Sequence, residues 1–311
     1  MLGLVLQADG ITVVRLERHG QDILLHECYH ETLDAGDDTA AALHSLVRTH
    51  DLAHMPCVCL MPPGSHQLLQ IEAPDVQPAE LKAAVRWRIK DLIDFHIDDA
   101  VIDVFEVPPR SNADQSNFMN AVATRISGVQ QQVDMLEAAE LMIHAIDIPE
   151  LVMRNIAGLL PEDVKGMALL NFARSSSLMT LTRQQCLYLS RQIDVGADYL
   201  MQVATPTGAE GLDGMDMRLQ GLLDKIVLEV QRSLDYYESH FAQAPIGALV
   251  IGPLEKAVPG MVEYLSANLS INVRVLDLDD IVKTDLQLDA VTRSRALLAI
   301  GAALRTEHKT L

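Results

Sequence analysis

Asp94, His96, Asp98 and Asp99 crowd oxygen and nitrogen donors into one short stretch, and these are the donor types that hold divalent cations. No second cluster with matching spacing accompanies them. They read as a solvated acidic loop, and no metal site is assigned. Cys57-Val58-Cys59 places two thiols on one face of a strand-like apolar run. The four cysteines (Cys28, Cys57, Cys59 and Cys186) have neither disulfide nor zinc spacing, so core packing in a reducing compartment is the reading. The eleven histidines are dispersed, with no nucleophile elbow and no HExxH pattern, which leaves hydrolase chemistry without support. Arg174 is followed by Ser175, Ser176 and Ser177, hydroxyls that could hold an anion weakly or simply cap a hairpin turn. Tyr236 and Tyr237 are adjacent near the end of a helical pattern. One ring should face the core and the other, about 100° around the helix, the edge.

The elements that must position these residues are aliphatic. Of 311 residues 49% are hydrophobic but only 4% aromatic, so Leu, Val, Ile, Ala and Met must build the core. The length suits two lobes. A formal charge of −19 repels phosphate backbones and anionic lipid, which argues against nucleic acid or a membrane surface as a direct partner. The densest basic cluster, Arg86-Trp87-Arg88-Ile89-Lys90, runs straight into aspartates. The N-terminus has no basic leader or cleavage site, and the longest uncharged stretch, 52–71, is broken by prolines and histidines. A soluble chain is expected.

Three strand-like runs open the sequence, "LGLVLQA", "ITVVRLE" and "DILLHECYHETL", with Asp9-Gly10 as the expected hairpin turn. A helix over 39–49 and the strand "CVCLM" follow. Residues 66–143 read as a strand–helix–strand–strand–helix–strand module, with a helix over 78–93, a polar loop over 108–116 and a second helix over 130–141. The meander then returns as "GMALLNFAR", "SLMTLTRQ" and "QCLYLSRQID". After it come a Gly-rich loop over 205–214, a long helix over 215–241, the strand "GALVIG", a helix over 258–269, the strand "NVRVL" and a closing helix over 290–305. Two meanders, each leading into helix and strand, make an internal structural repeat.

Four segments in order resemble the type IV pilus assembly protein PilM family, and most strongly its MshI branch from mannose-sensitive haemagglutinin (MSHA) pilus systems. They are "ELKAAVRWRIKDLIDFHIDDAVIDVFEV", "VQRSLDYYESH" before its strand, "VPGMVEYLSANLSINVRVLD" and "AIGAALR". The resemblance implies an α/β, actin-like (ribonuclease H-like) two-lobed fold with an inserted FtsA/PilM-type subdomain. Its expected divisions are 1–65 and 144–160 for the first lobe, 66–143 for the insert, 161–290 for the second lobe with a reduced outer subdomain near 205–241, and 291–311 for the closing helix.

The same resemblance implies a nucleotide pocket built from two hairpins, each with an acidic residue to organise Mg²⁺. This chain departs from that pattern. Gln7 stands for the first acid, before Gly10. Asn171 stands for the second, before Arg174 and the serines 175–177. Gly252 is kept on the base side but Pro253 follows it. A degenerate pocket without catalysis is therefore expected, with no cofactor required and at most weak ATP binding. The implied function is a non-catalytic cytoplasmic scaffold, peripheral at the inner membrane through its partner. That partner is the N-terminal tail of a bitopic PilN-like pilus protein, held in a groove between first lobe and insert. Arg86, Trp87, Asp94, Asp98 and Asp103 are the candidate groove residues, their acidity suiting a basic tail. The alternative is an ATP-binding actin-like ATPase of the same assembly. A type II secretion platform protein shares the architecture but continues into a membrane helix, whereas this chain ends at "RTEHKTL".

Overall fold

The computed structural model describes residues 1–20, 22–107, 118–204 and 217–306. The expected loops at 108–116 and 205–214 lie outside the described residues. The chain divides into two compact units. The first takes Met1–His19, Leu25–Val152 and the chain from Leu298 onward. The second takes Gly20–Leu24 and Met153–Leu297.

In the first unit, strands β1 (Leu2–Gln7), β2 (Gly10–His19) and β3 (Asp22–Thr32) form the expected meander. Helix α1 (Thr39–Thr49) begins where the Asp38 carboxylate accepts the Ala40 and Ala41 amides, a side-chain N-cap. Strand β4 (Pro56–Leu60) follows, then β5 (His66–Glu72), α2 (Pro78–Ile89), β6 (Ala100–Glu106), β7 (Phe118–Arg125), α3 (Ile126–Ala138) and β8 (Met142–Asp147), and α4 (Pro149–Ala157), which passes into the second unit at Met153. One sheet has the order β3-β2-β1-β4-β8, with β4 parallel to both β1 and β8. A separate antiparallel sheet has the order β5-β7-β6.

Strand β1 is buried on both faces. Leu2, Leu4 and Leu6 join Ile11, Val13, Cys57 and Cys59 in a core closed by Leu43 and Val47 of α1 and Leu136 of α3. Cys57 and Cys59 are core residues with no exposure, whereas Cys28 is half-buried and Cys186 is exposed, against the core reading for those two. Burial pushes the Cys59 thiol up to about 12 and Cys57 well above its ordinary range.

The module expected over 66–143 is narrower in the structure. Its last strand, β8, pairs with β4, and α3 packs into the first-lobe core, because Met135 and Leu136 face Leu2 and its neighbours. The distinct piece is β5, β6, β7 and α2, with its own core of Ile71, Val85, Ile89, Ile102, Met119 and Ala121. Helix α2 stops at Ile89 rather than 93, and α3 starts at Ile126 rather than 130. The hairpin turn also differs. Gln7 pairs with Gly10, so Ala8 and Asp9 make the turn. Gly10 is required for another reason: a Cβ there would lie 2.6 Å from the Glu31 carbonyl and from the His30 ring.

The second unit contains β9 (Met167–Phe172), β10 (Ser177–Arg183), β11 (Cys186–Ile193), α5 (Ala197–Ala204), α6 (Met217–Phe241), β12 (Ala248–Ile251), α7 (Met261–Leu269) and β13 (Asn272–Val275). Its sheet runs β11-β10-β9-β12-β13, antiparallel through the meander and parallel from β9 to β12 to β13. This is the same order as in the first unit: meander, then parallel strands added on the far side of its first strand. The repeat is the two-lobed actin-like plan. Helix α6, expected to belong to a reduced outer subdomain near 205–241, packs on β11, α5 and α7 of this same unit. Tyr237 is fully buried, edge-on to Tyr188 with ring centroids 5.2 Å apart, while Tyr236 stays exposed and stacks on His240. Helices α4 and α5 answer to no element of the sequence reading.

The last helix, α8 (Ala290–Ala303), is shared between the two divisions. Within the first unit its backbone lies directly on β1. A Cβ at Gly3 would sit 1.9 Å from the Ala299 carbonyl oxygen, so only glycine allows this approach. Gly3→Ala should destabilise the chain at the upper end of the about 1–3 kcal/mol typical of overpacking. Gly221→Ala, in α6 with open space around it, should stabilise it by about 1 kcal/mol. Urea denaturation of both variants checks the contrast; a neutral Gly3→Ala would contradict the packing.

Glu162 gives a pH prediction in the second unit. Its carboxylate accepts from Arg274 Nε at 2.6 Å, which holds its pKa below the ordinary 4.5. A depressed carboxylate stabilises the fold above its unfolded pKa, and the contribution is lost as pH falls through the folded value. Arg274→Ala should therefore lower the urea midpoint at neutral pH, with a deficit that shrinks as pH falls below the ordinary glutamate range. A deficit independent of pH would show that the ion pair is not its source.

Candidate functional site

The residues expected to hold a nucleotide fall in two groups, one per unit. In the first unit the β1–β2 turn offers no carboxylate at Gln7, and the Asp9 carbonyl is taken by the Leu33 amide at 3.0 Å. In the second unit Asn171 is buried at the end of β9, beside β12. A Cβ at Gly252 would lie 2.7 Å from Asn171 Oδ1, so these two predicted residues do meet. The Gly252 amide is already bonded to the Leu170 carbonyl at 2.8 Å.

The loop between β9 and β10 is fastened down. The carbonyls of Ala173 and Arg174 accept the Ala197 and Asp198 amides at the start of α5, at 2.8 and 3.1 Å. Gly196 is pressed against it, where a Cβ would lie 2.2 Å from the Arg174 carbonyl. Arg174 Nε reaches Asp198 at 3.0 Å and Ser176 takes a bond from Gln192 at 3.2 Å. Ser177 is not a loop residue: it is the first residue of β10, 1% exposed, and paired with Phe172. Of the serine run only Ser175 is exposed.

One carboxylate does sit where α/β folds place their chemistry, at the C-terminal end of a parallel strand. Asp147 ends β8 and is 2% exposed. Its Oδ2 accepts from Arg305 Nη1 at 2.7 Å and its Oδ1 from the Ile148 amide at 2.9 Å. The charge is thus compensated within the fold.

The second candidate region lies within the first unit, where the small sheet joins the larger one. A pocket of about 330 Å³ is lined by Ser65, His66 and Gln67 at the start of β5, Asp94 and Phe95 beyond α2, and Arg125 and Gly128 around the start of α3. Among the described residues β5 pairs on one side only, with β7. Its other edge therefore presents backbone donors and acceptors. His66 and Glu150 form a buried pair, Nε2 to Oε2 at 3.0 Å, with side-chain exposures of 8% and 10%. The other ring nitrogen, Nδ1, is buried and has no hydrogen-bond partner among the described residues.

Only Asp94 of the five expected groove residues lines this pocket. Its charge faces Arg125 at 3.9 Å. Arg86 and Asp98 are spent on each other at 3.2 Å, with Arg86 also bonded to the Ile97 carbonyl. Trp87 is 70% exposed, with the Lys90 ammonium over its ring. Asp103 caps its own neighbour, accepting from the Val104 amide. The expected acidic groove is therefore locally mixed in charge. His66, Thr124, Arg125 and Gly128 were beyond sequence reasoning, since His66 and Glu150 stand 84 residues apart. A further cluster went unread: Glu17 and His19 alternate on β2 and meet His26 of β3.

Arg305→Ala should leave the buried Asp147 carboxylate without its Arg305 guanidinium, at a cost of about 3–5 kcal/mol. Chemical denaturation measures this; a loss under about 1 kcal/mol would mean that the pair is solvated.

The family profile of the type IV pilus assembly protein PilM matches residues 4–205. No curated protein sequence matches the chain. Among solved structures, the chain is similar to the PilM-PilN type IV pilus biogenesis complex, at 19% identity over 97% of each chain with a TM-score of 0.74. It also aligns with the cytoplasmic domain of EpsL, an inner membrane component of the type II secretion system of Vibrio cholerae. That match has 10% identity, covers 98% of this chain and 95% of that one, and has a TM-score of 0.48. With about two thirds of its length under the profile and the repeated sheet order behind it, the chain belongs to the type IV pilus assembly protein PilM family.

Proposed function

We propose that this chain is a non-catalytic adaptor of a pilus assembly platform, of the MshI branch serving MSHA-type pili. It would bind the cytoplasmic N-terminal tail of a bitopic PilN-like inner-membrane partner in the pocket beside β5. The observation that carries the reading is the coincidence there, among the described residues, of a strand edge with no pairing strand, a cavity and a buried His66 Nδ1 without a hydrogen-bond partner. An extended tail can add to the β5 edge through its backbone while alternate side chains enter the cavity. Nδ1 of a neutral His66 ring can accept a tail N–H, and of a charged ring can donate to a tail carbonyl. Asp94 and Arg125 supply both signs of charge for orientation. The family membership supports the setting, and the similar PilM-PilN complex names PilN as the partner of that protein. No helix among the described residues is long and apolar enough to cross a membrane, so membrane association would come through that partner.

The hairpins support the pseudo-ATPase half of the reading. Gln7 and Asn171 cannot organise Mg²⁺ as carboxylates do, and the carbonyls of the β9–β10 loop are committed to α5. At most weak nucleotide binding is expected, with no turnover.

Gly128 provides a clean test because it lines the pocket and a Cβ there meets nothing within 4 Å in the folded chain. Gly128→Phe should fill the pocket and weaken calorimetric binding of the tail peptide at least about tenfold, with an unchanged or higher melting temperature. Unchanged affinity would overturn the site. Phosphate release from Mg·ATP that is abolished by Asn171→Ala would overturn the non-catalytic assignment.

A further inference from the structure

We propose that Glu17, His19 and His26 form a surface site for a divalent transition-metal cation, with Zn²⁺ the best fit. Glu17 and His19 are two residues apart on β2, so their side chains leave the same face. His26 stands on the adjacent strand β3. Both imidazoles converge on one carboxylate through Nε2: His19 Nε2 lies 3.1 Å from Glu17 Oε1, and His26 Nε2 lies 2.9 Å from Glu17 Oε2. Ligand atoms from all three residues lie within 4.8 Å of one another.

That spacing is close to what a metal requires. Ligands about 2.0–2.1 Å from a tetrahedral ion stand about 3.3–3.4 Å apart. Each imidazole already lies within a few tenths of an ångström of that spacing from one Glu17 oxygen; for Glu17 to bind through a single oxygen, the second imidazole closes on it by rotation of exposed side chains, from atoms already within 4.8 Å of one another. Two neighbouring strands supply all three ligands, so the backbone frame is already in place. The donors select the cation. Two imidazole nitrogens and one carboxylate suit Zn²⁺, Ni²⁺ or Cu²⁺, whereas Mg²⁺ and Ca²⁺ want oxygen. Neutral rings with ionised Glu17 give the site one negative charge, and the −19 chain adds a favourable field.

Without metal, each Nε2–H can donate to Glu17. With metal, each Nε2 must present its lone pair. A neutral ring then carries its proton on Nδ1, and a charged ring releases one proton to buffer. Three protein ligands leave a fourth position for water or for a donor from another molecule. The site lies on the β2–β3 ribbon, away from the residues of the proposed tail pocket, so each can fail independently of the other.

The test is a competition titration of the full chain, without a polyhistidine tag and stripped by chelator, with ZnSO₄ against a chromophoric chelator. One Zn²⁺ per chain with micromolar affinity is expected. His19→Ala, His26→Ala and Glu17→Gln should each weaken it at least about tenfold, while His54→Ala, outside the cluster, should not. The side chains of the three ligands are exposed by 59%, 35% and 54% (His19, His26 and Glu17), so these variants should fold. Absence of a micromolar site in the wild type, or one left intact in the His19→Ala/His26→Ala double variant, would overturn the proposal.

Discussion

A carboxylate cannot stay ionised in a protein interior without a partner, and Asp147 is where this chain meets that constraint. Its side chain takes Arg305 and the Ile148 amide, and its carbonyl takes the Met61 amide at 2.8 Å. One residue therefore ties the end of β8 to the segment after β4, to the start of α4 and to the segment after α8. The same β8 and β4 carry the core formed with β1 and α3. The position that a catalytic acid would occupy at a strand end is used to hold the first unit together. Gly3 serves the same packing from the other face, by letting the α8 backbone reach β1.

Much of this architecture was legible because it repeats. Two meanders of short apolar runs, continuously buried in β1 and β9, each followed by parallel strands, announce themselves through those runs and their turn residues. Cys57 and Cys59 read as core for the same reason, and the Tyr236–Tyr237 pair read as one ring in and one out from helical geometry alone. What stayed hidden depended on distance or on short elements. Helix α4 buries Val152, Met153, Ile156 and Ala157, a helical spacing that its nine residues leave brief beside the longer patterns. Helix α3 begins earlier than the reading because Ser127-Gly128 looks like a breaker; there, glycine borders a cavity. The placement of β8 could not be read locally, since pairing with β4 is a tertiary decision between two equally apolar neighbours.

The candidate sites show the same division. The lack of acids at Gln7 and Asn171 is a fact of sequence, and so is Pro253. The immobilisation of the β9–β10 loop by α5 and Gly196, and the burial of Ser177 within β10, are facts of structure that the serine run conceals. The acidic stretch 91–103 misleads in the opposite direction. Its aspartates read as an unopposed negative surface, but Asp94 and Asp98 face Arg125 and Arg86. Binding at the pocket beside β5 would rest on backbone pairing and buried side chains more than on net charge.

Amide hydrogen exchange with and without the partner's tail peptide tests the central claim most directly, because it reads the backbone itself. If the tail adds to the free edge of β5, the amides of His66–Glu72 that point outward from the sheet should slow markedly on binding, together with the first turn of α3. The β9–β10 hairpin should be unchanged. Slowing confined to that hairpin or to α5, with β5 exchanging as before, would contradict the account.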